Sequence, residues 1–379
     1  MSRRRRWGRR FLLLVGGLVL GVTLVSCDQG GGSDSDRSPE EAAETIATSI
    51  EDLGQSLRTL EGGSFSTRLK GFLGLQDGEA RSADWASKLV EELETVIQIA
   101  DGRLDFAGTA GEYEWNAGQQ QWERQSGSDD IVLRFPATEG SQSNNAVFTL
   151  SNYADTEVTI DQDPVYLPTA GTASLSVEGT EVFSLDLRNV VYGTDSGFEI
   201  PVPQSFTLDV LTAPHAHRFA LSSRSDTEYS FSYDLRTDNR LVAGISVTAL
   251  LAPDNDDELD ETDLEELSGE GRIGPDLTIP YTIQVAQLDA LDDPSEEQVN
   301  DLVDATVVYR GDEIATLRYD EASEEIEVVF SDGSVEPASA FYEDFLDEMA
   351  SVWSDYLGGD DIDFDLRALP QRIGGLVRP

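Results

Sequence analysis

From Gly111 to Ala252 apolar and polar residues alternate with a period of two, and this alternation restricts the fold more than any other feature of the chain. In "EYSFSYDLRTDNRLVAGISV", Tyr229, Phe231, Tyr233 and Leu235 take one side, and Ser230, Ser232, Asp234 and Arg236 take the other. "TDN" turns the chain, after which Leu241, Ala243, Ile245 and Val247 resume the pattern. Successive side chains of a strand point to opposite faces, so the segment predicts an antiparallel hairpin with one face in water. "ASLSVEGTEVFSLDLRNVVY" repeats the pattern about Glu178-Gly179, with Phe183, Leu185 and Leu187 facing one way. About eleven strands fit between residues 111 and 252.

Helical spacing appears before and after this region. Ser38 is placed to cap, Pro39 suits the first helical position and Glu41 completes a capping box, ahead of Ile46, Ile50, Leu53, Leu57 and Leu60. A helix over 39–60 follows. A second is expected over 83–100, with Ser82 as its cap and Trp85, Leu89, Leu93, Val96 and Ala100 on one side. A closing helix over 337–357 would bury Phe341, Phe345, Met349, Val352 and Trp353. Residues 253–276 hold a dense run of acids and read as an exposed loop, 278–335 as further strands turning at Arg310-Gly311, and 358–379 as a loosely attached tail. The expected fold is therefore α+β: one domain over 38–357, a large, mainly antiparallel β-sheet with two N-terminal helices and one C-terminal helix.

The chain holds 26 Lys plus Arg against 73 Asp plus Glu, a formal net charge of −47, and its only lysines are Lys70 and Lys88. Nucleic acid is excluded as a partner, because phosphate binding draws its strength from clustered Lys and Arg. The balance resembles that of proteins from salt-adapted microbes: self-repulsion strains an acidic fold in dilute buffer and is screened at high salt. A dedicated cation binder is the weaker alternative, since the acids are spread along the whole chain.

The chain starts with six arginines among its first ten residues, followed by an apolar run from Phe11 to Val25. Fifteen residues, three of them glycine, are short for a membrane-spanning helix but suit a secretory leader over 1–26. "LVSC", Leu24 to Cys27, resembles the lipobox of bacterial lipoproteins. The resemblance implies diacylglycerol on the Cys27 sulfur and cleavage before Cys27, and the small, polar residues that follow read as an acidic Gly/Ser tether over 27–37. With two or three acyl chains the anchorage would be lasting, whereas one chain binds only marginally. "RRFLL" lacks the polar residue of a twin-arginine signal, so the general secretory route is expected. Asp28 resembles an inner-membrane retention signal, while the acidic tether resembles a surface-export signal. Both readings place the protein at a cell-envelope membrane. Cys27 is the sole cysteine, so no internal disulfide is available and stability rests on the core.

Candidate chemistry is sparse. His215 and His217 in "PHAHR" share a strand face, but catalytic zinc generally takes three protein ligands, and two ordinary strand histidines are expected. "GEGRIG", Gly269 to Gly274, matches the dinucleotide glycine pattern without the strand before it or the helix after it. "DNDDELDE" and "DDIDFDLR" lack the sixth-place glycine of a calcium loop. Cofactor and metal are therefore both expected to be none. In "GEYEWNAGQQQWERQ", Tyr113 and Trp115 share a face and a turn near Ala117-Gly118 brings Trp122 across from Trp115. These three form a stacking platform for flat ligands if exposed and a cross-strand packing pair if buried, the reading favoured here. With "IVLRFPATEG" and "NNAVFTLSNY" after it, the stretch resembles uncharacterised lipoproteins of the Bacteroidota, a resemblance that brings no catalytic motif.

The sequence thus leads to a lipid-anchored envelope lipoprotein that acts as a non-enzymatic binding or structural module. One alternative is a carrier of apolar ligands in a curved-sheet cavity, suggested by the one-sided strands and the apolar residues around Phe72, Leu73 and Leu75. Another is a polysaccharide hydrolase, which needs only two facing carboxylates and an exposed Trp. Whether the partner is protein, glycan or lipid is left open by the residues.

Overall fold

A computed structural model describes residues 37–341, apart from 62, 66–74, 77–78, 81–83, 101, 139–140, 142, 161–162, 194–202, 226, 253–262, 292–293 and 324. Cys27, Phe72, Leu73, the acidic stretch 254–262, the body of the expected closing helix and the tail 358–379 lie outside the described residues. The fold is α+β with a mainly antiparallel sheet. The chain divides into two compact units, one of Met1–Thr59 with Ser223–Pro379, the other of Leu60–Ser222.

The first unit opens with α1 (Pro39–Glu61). The expected capping box is formed: the Glu41 amide donates to Ser38 Oγ at 3.3 Å, and the Ser38 amide donates to Glu41 Oε2 at 3.1 Å. Ala42, Ile46, Ile50 and Leu53 recur every three or four residues and are all buried, so one stripe of the helix is packed.

The second unit begins with two short pairings, β1 (Leu75–Gln76) with β2 (Glu79–Ala80), and, after α2 (Asp84–Glu91), β3 (Ile99–Ala100) with β4 (Arg103–Leu104). The helix expected over 83–100 therefore stops at Glu91 and tightens into a 3₁₀ turn over Glu92–Thr95. Thr95, Val96, Ile97 and Ile99 are β-branched and stiff at χ1, which weakens a helix just where the chain can pair as a strand instead. Trp122 Nε1 donates to the Leu89 carbonyl at 3.1 Å and so satisfies one acceptor near the helix end.

After the single turn α3 (Phe106–Thr109) come β5 (Gly111–Asn116), β6 (Gln121–Ser126), β7 (Ile131–Phe135), β8 (Ala146–Ile160), β9 (Asp163–Val177), β10 (Thr180–Tyr192), β11 (Pro203–Thr212) and β12 (His215–Ser225). β5 and β7 pair in parallel, and the other pairings described in this unit are antiparallel. Register confirms the alternation seen in the sequence. Phe148, Leu175 and Phe183 stand opposite one another across β8, β9 and β10, as do Leu187, Leu208 and Phe219 across β10, β11 and β12. On the reverse face Asp186 stands opposite Asp209. Arg188 bonds to both carboxylates, and Arg218 Nε lies 3.8 Å from Asp209. Two like charges placed opposite each other are thereby neutralised.

The first unit resumes with β13 (Glu228–Thr237), β14 (Arg240–Leu251), β15 (Leu264–Ile273) and β16 (Leu277–Ile283). Then come α4 (Val285–Asp289), α5 (Glu296–Leu302), β17 (Val303–Tyr309), β18 (Asp312–Asp320), β19 (Glu325–Phe330) and β20 (Val335–Pro337). Strands β13 to β20 pair antiparallel in chain order. The core of this unit gathers Leu277, Ile283, Val299 and Val307, each no more than 2% exposed. Asn300 works as a clamp on β18: its amide nitrogen donates to the Tyr319 carbonyl at 2.9 Å, and its Oδ1 accepts from the Tyr319 amide at 2.8 Å.

Four expectations need correction. Residues 264–273, taken as part of an acidic loop over 253–276, form β15, because Leu267, Gly269, Gly271 and Ile273 alternate with Glu266, Ser268, Glu270 and Arg272 in spite of the charge. The stretch expected to hold only strands over 278–335 also contains α4 and α5. The closing helix starts not at Pro337, which ends β20, but at Ser339. Among the described residues of 111–252 there are ten strands against the roughly eleven expected, since β8 and β9 each run for 15 residues.

Candidate functional site

The aromatic residues proposed as a platform are packed together. β5 and β6 place Trp115 directly opposite Trp122, with ring centroids 5.5 Å apart in an edge-on arrangement. The turn between them is tied by Asn116, whose Oδ1 accepts from the Gly118 and Gln119 amides. Tyr113 and Trp115 are 6% and 7% exposed, and the Tyr113 hydroxyl donates to the Thr109 carbonyl at 2.6 Å. Tyr113, Val96, Ile131 and Leu133 form a core cluster against which Trp122, Phe135 and Phe148 pack. The stretch offers a cross-strand pair and no open stacking face.

His215 and His217 lie on one face of β12, opposite Thr212 and Val210 of β11. His215 is 1% exposed, and His217 Nε2 lies 3.3 Å from Thr212 Oγ1. Burial pushes the His217 pKa below its ordinary value, and the neighbouring His215 adds to the effect. Among the described residues no group of three or more His, Cys, Asp or Glu is placed to hold a metal ion. The glycines of "GEGRIG" sit in β15 and its turn, where a side chain on Gly269 would collide with the Ser246 carbonyl and with Tyr281. Gly269 serves strand packing, and Gly274, at a φ of +61°, serves the turn.

A groove of about 2030 Å³ lies within the first unit. One wall is α1, along a polar stripe that includes Thr45, Thr48, Asp52, Gln55 and Thr59. The other wall comes from the β13–β14 turn and from β15 and β16, with Arg236, Asn239, Arg240, Glu270, Arg272 and Thr278. Each wall follows from local sequence. The polar stripe is the side of α1 away from Ala42, Ile46 and Ile50, and the arginines stand on the wet side of strands whose other side is apolar.

Several charges of this groove are joined to one another. Arg272 Nη2 lies 2.6 Å from Asp234 Oδ1, and its Nε lies 3.5 Å from Glu270. Arg236 reaches the other Asp234 oxygen at 3.2 Å. Near one end, Arg37 lies over the Tyr309 ring at 4.5 Å while its Nη1 donates to Thr45 Oγ1. Arg310 reaches Asp276 at 2.8 Å, and the hydrogen bond to Asp276 holds its pKa above the ordinary value. Sequence reading found Asp234 and Arg236 only as strand residues. Nothing in their spacing reveals that they meet Arg272, which is 38 positions away from Asp234.

The second unit presents a different surface. The face that carries Phe183, Leu185, Leu187, Phe206, Leu208, Phe219 and Leu221 is half-buried and mostly apolar, with Thr212, His215 and His217 on the same face at one end. Phe65 stacks on Phe183 with centroids 5.4 Å apart. Among the described residues no helix is long and apolar enough to cross a membrane. No protein-family model, curated protein or solved structure matches the chain.

Proposed function

We propose that the protein is a lipid-anchored lipoprotein of the cell envelope whose folded part binds a partner without transforming it. The anchor reading rests on the basic head, apolar run and "LVSC" that end at Cys27. The binding reading rests on one observation, the groove beside α1, in which Arg272 is ion-paired with Asp234 and Glu270, and Arg236 with Asp234. Charges held in this way keep a fixed pattern of donors and acceptors, which suits recognition. An acid or base for catalysis must instead be free to exchange its proton near working pH.

The test has two parts. Cells grown with labelled palmitate should yield labelled protein, and Cys27→Ala should lose the label and leave the membrane fraction; an unlabelled parent would remove the anchor. Native mass spectrometry of the purified mature chain should then find an intact bound molecule. Release of a chemically altered product from a candidate ligand would replace the binding reading with an enzymatic one.

A second reading, a carrier of apolar molecules, is favoured by the half-buried apolar face of β10 to β12. A bound lipid in the same mass spectra would support it.

A further inference from the structure

The groove of the first unit permits a more specific statement, which rests on the binding reading above. Its volume, about 2030 Å³, exceeds the roughly 300–1,000 Å³ of small-molecule pockets, so it suits an occupant larger than a metabolite or a polyamine. Its two sides differ in kind. On α1, Glu44, Thr48 and Asp52 follow one another four residues apart, and all three are exposed. The facing side adds apolar surface from Leu241, Ile273, Pro275 and Tyr309 to its ion-paired arginines.

Charge sets the sign of the occupant. Among the described residues Glu44, Asp52 and Asp238 have no cationic partner, whereas the groove cations Arg236 and Arg272 are held by Asp234. An anion is repelled by these free carboxylates and by a chain of net charge −47. A neutral glycan leaves the carboxylates uncompensated and the apolar side uncovered, and a lipid chain meets carboxylates and hydroxyls along α1. A metal ion finds no group of three ligands among the described residues. A segment with both basic and apolar side chains satisfies both sides at once. The groove already accommodates a guanidinium of this chain: Arg37 lies over the Tyr309 ring at 4.5 Å and donates to Thr45 Oγ1.

Spacing sharpens the match. Glu44 and Asp52 are eight residues apart on α1, about 12 Å at 1.5 Å per residue. An extended peptide advances about 3.3 Å per residue, so its side chains at i and i+4 stand about 13 Å apart on one face while those at i+1 and i+3 point to the other. We infer that this groove binds an extended basic peptide segment of a partner protein. Its basic side chains at i and i+4 meet Glu44 and Asp52, and its apolar side chains at i+1 and i+3 meet Leu241 and Pro275.

The experiment is fluorescence anisotropy of the mature chain with the labelled peptide Ser-Arg-Leu-Ser-Leu-Arg-Ser, a counterpart with glutamate in place of both arginines, and spermidine as competitor. Saturable binding of the arginine peptide alone is expected. Glu44→Lys and Asp52→Lys, both at exposed helix positions, should each weaken it about fivefold, in keeping with the loss of an exposed ion pair. The doubly reversed protein should take the glutamate peptide instead. Glu321→Lys, an equal change of charge at an exposed position outside the groove, should leave binding as in the parent. No saturable binding, equal binding of the two peptides, a Glu321→Lys loss as large as that of Asp52→Lys, or full displacement by equimolar spermidine would overturn the inference. A lipid or glycan found bound by native mass spectrometry and not displaced by the arginine peptide would overturn it too while leaving the binding reading in place. Cleavage of the peptide would instead end the binding reading itself.

Discussion

Gly269 of β15 stands directly opposite Tyr281 of β16, and a methyl group on the glycine would lie 2.8 Å from the phenol oxygen and 2.2 Å from the Ser246 carbonyl. The second of these distances involves backbone, so a side-chain rotation cannot relieve it. Gly269→Ala is therefore expected to destabilise the protein by about 1–3 kcal/mol, the usual range for overpacking. Urea denaturation measures this as a lower midpoint at unchanged slope. A midpoint equal to that of the parent would mean that β14, β15 and β16 do not meet in this register.

Tyr281 and Tyr233 share a second consequence of burial. Loss of water around the phenolate raises each pKa from 10 to about 12, with Asp234 adding to the effect at Tyr233. The stability this contributes is complete below the unfolded pKa of about 10 and is lost as pH rises through the folded value. Stability should thus fall between pH 10 and pH 12. Phenolate absorbance of the folded chain should show a late-titrating class that moves to near pH 10 in urea, and a single class in both conditions would contradict the burial of these rings.

His217 acts at the other end of the scale. Its folded pKa lies below the ordinary value of 6.5, so the unfolded chain takes up a proton first as the solution is acidified. Stability should decline as pH drops through the unfolded pKa and level off below the folded one. His217→Gln should lack this part of the decline, which denaturant midpoints between pH 5 and pH 8 measure directly. A variant with the full slope of the parent would place the acid sensitivity elsewhere.

Salt should stabilise the protein. Pairs such as Arg318 with Glu327, at 2.7 Å, lose strength as salt is added, but exposed pairs are each worth about 0–1 kcal/mol. Against them stands the mutual repulsion of a chain with net charge −47. Repulsion between distant charges is screened as the Debye length falls from about 10 Å at 0.1 M to about 3 Å at 1 M. The melting temperature is expected to rise between 0.1 M and 2 M sodium chloride. An unchanged value would show that the acids are too well spread to strain the fold.

Local rules made much of the fold readable. The two-residue turns at Glu178-Gly179, Asp238-Asn239 and Arg310-Gly311 all have positive φ at both positions, as tight hairpins require, and each was visible as a polar or glycine pair between alternating runs. The capping box at Ser38 and Glu41 was equally plain. The same signal at Ser295 and Gln298 caps α5 with both of its hydrogen bonds, within a stretch expected to form strands. At β15 the acids overlie the alternation of Leu267, Gly269, Gly271 and Ile273.

The candidate site was less legible. Sequence alone determined the alternating strands between 111 and 252, the apolar face of each, where the tight turns fall and that Trp115 meets Trp122, because each of these depends on near neighbours and on the geometry of one hairpin. Tertiary structure decided that Trp115 and Tyr113 are buried, that α2 yields to β3, and that Asp234 joins Arg236 to Arg272. Those outcomes depend on which distant segments share a sheet and what packs upon it. Period-two spacing sets the side on which a residue points, but not what it finds there.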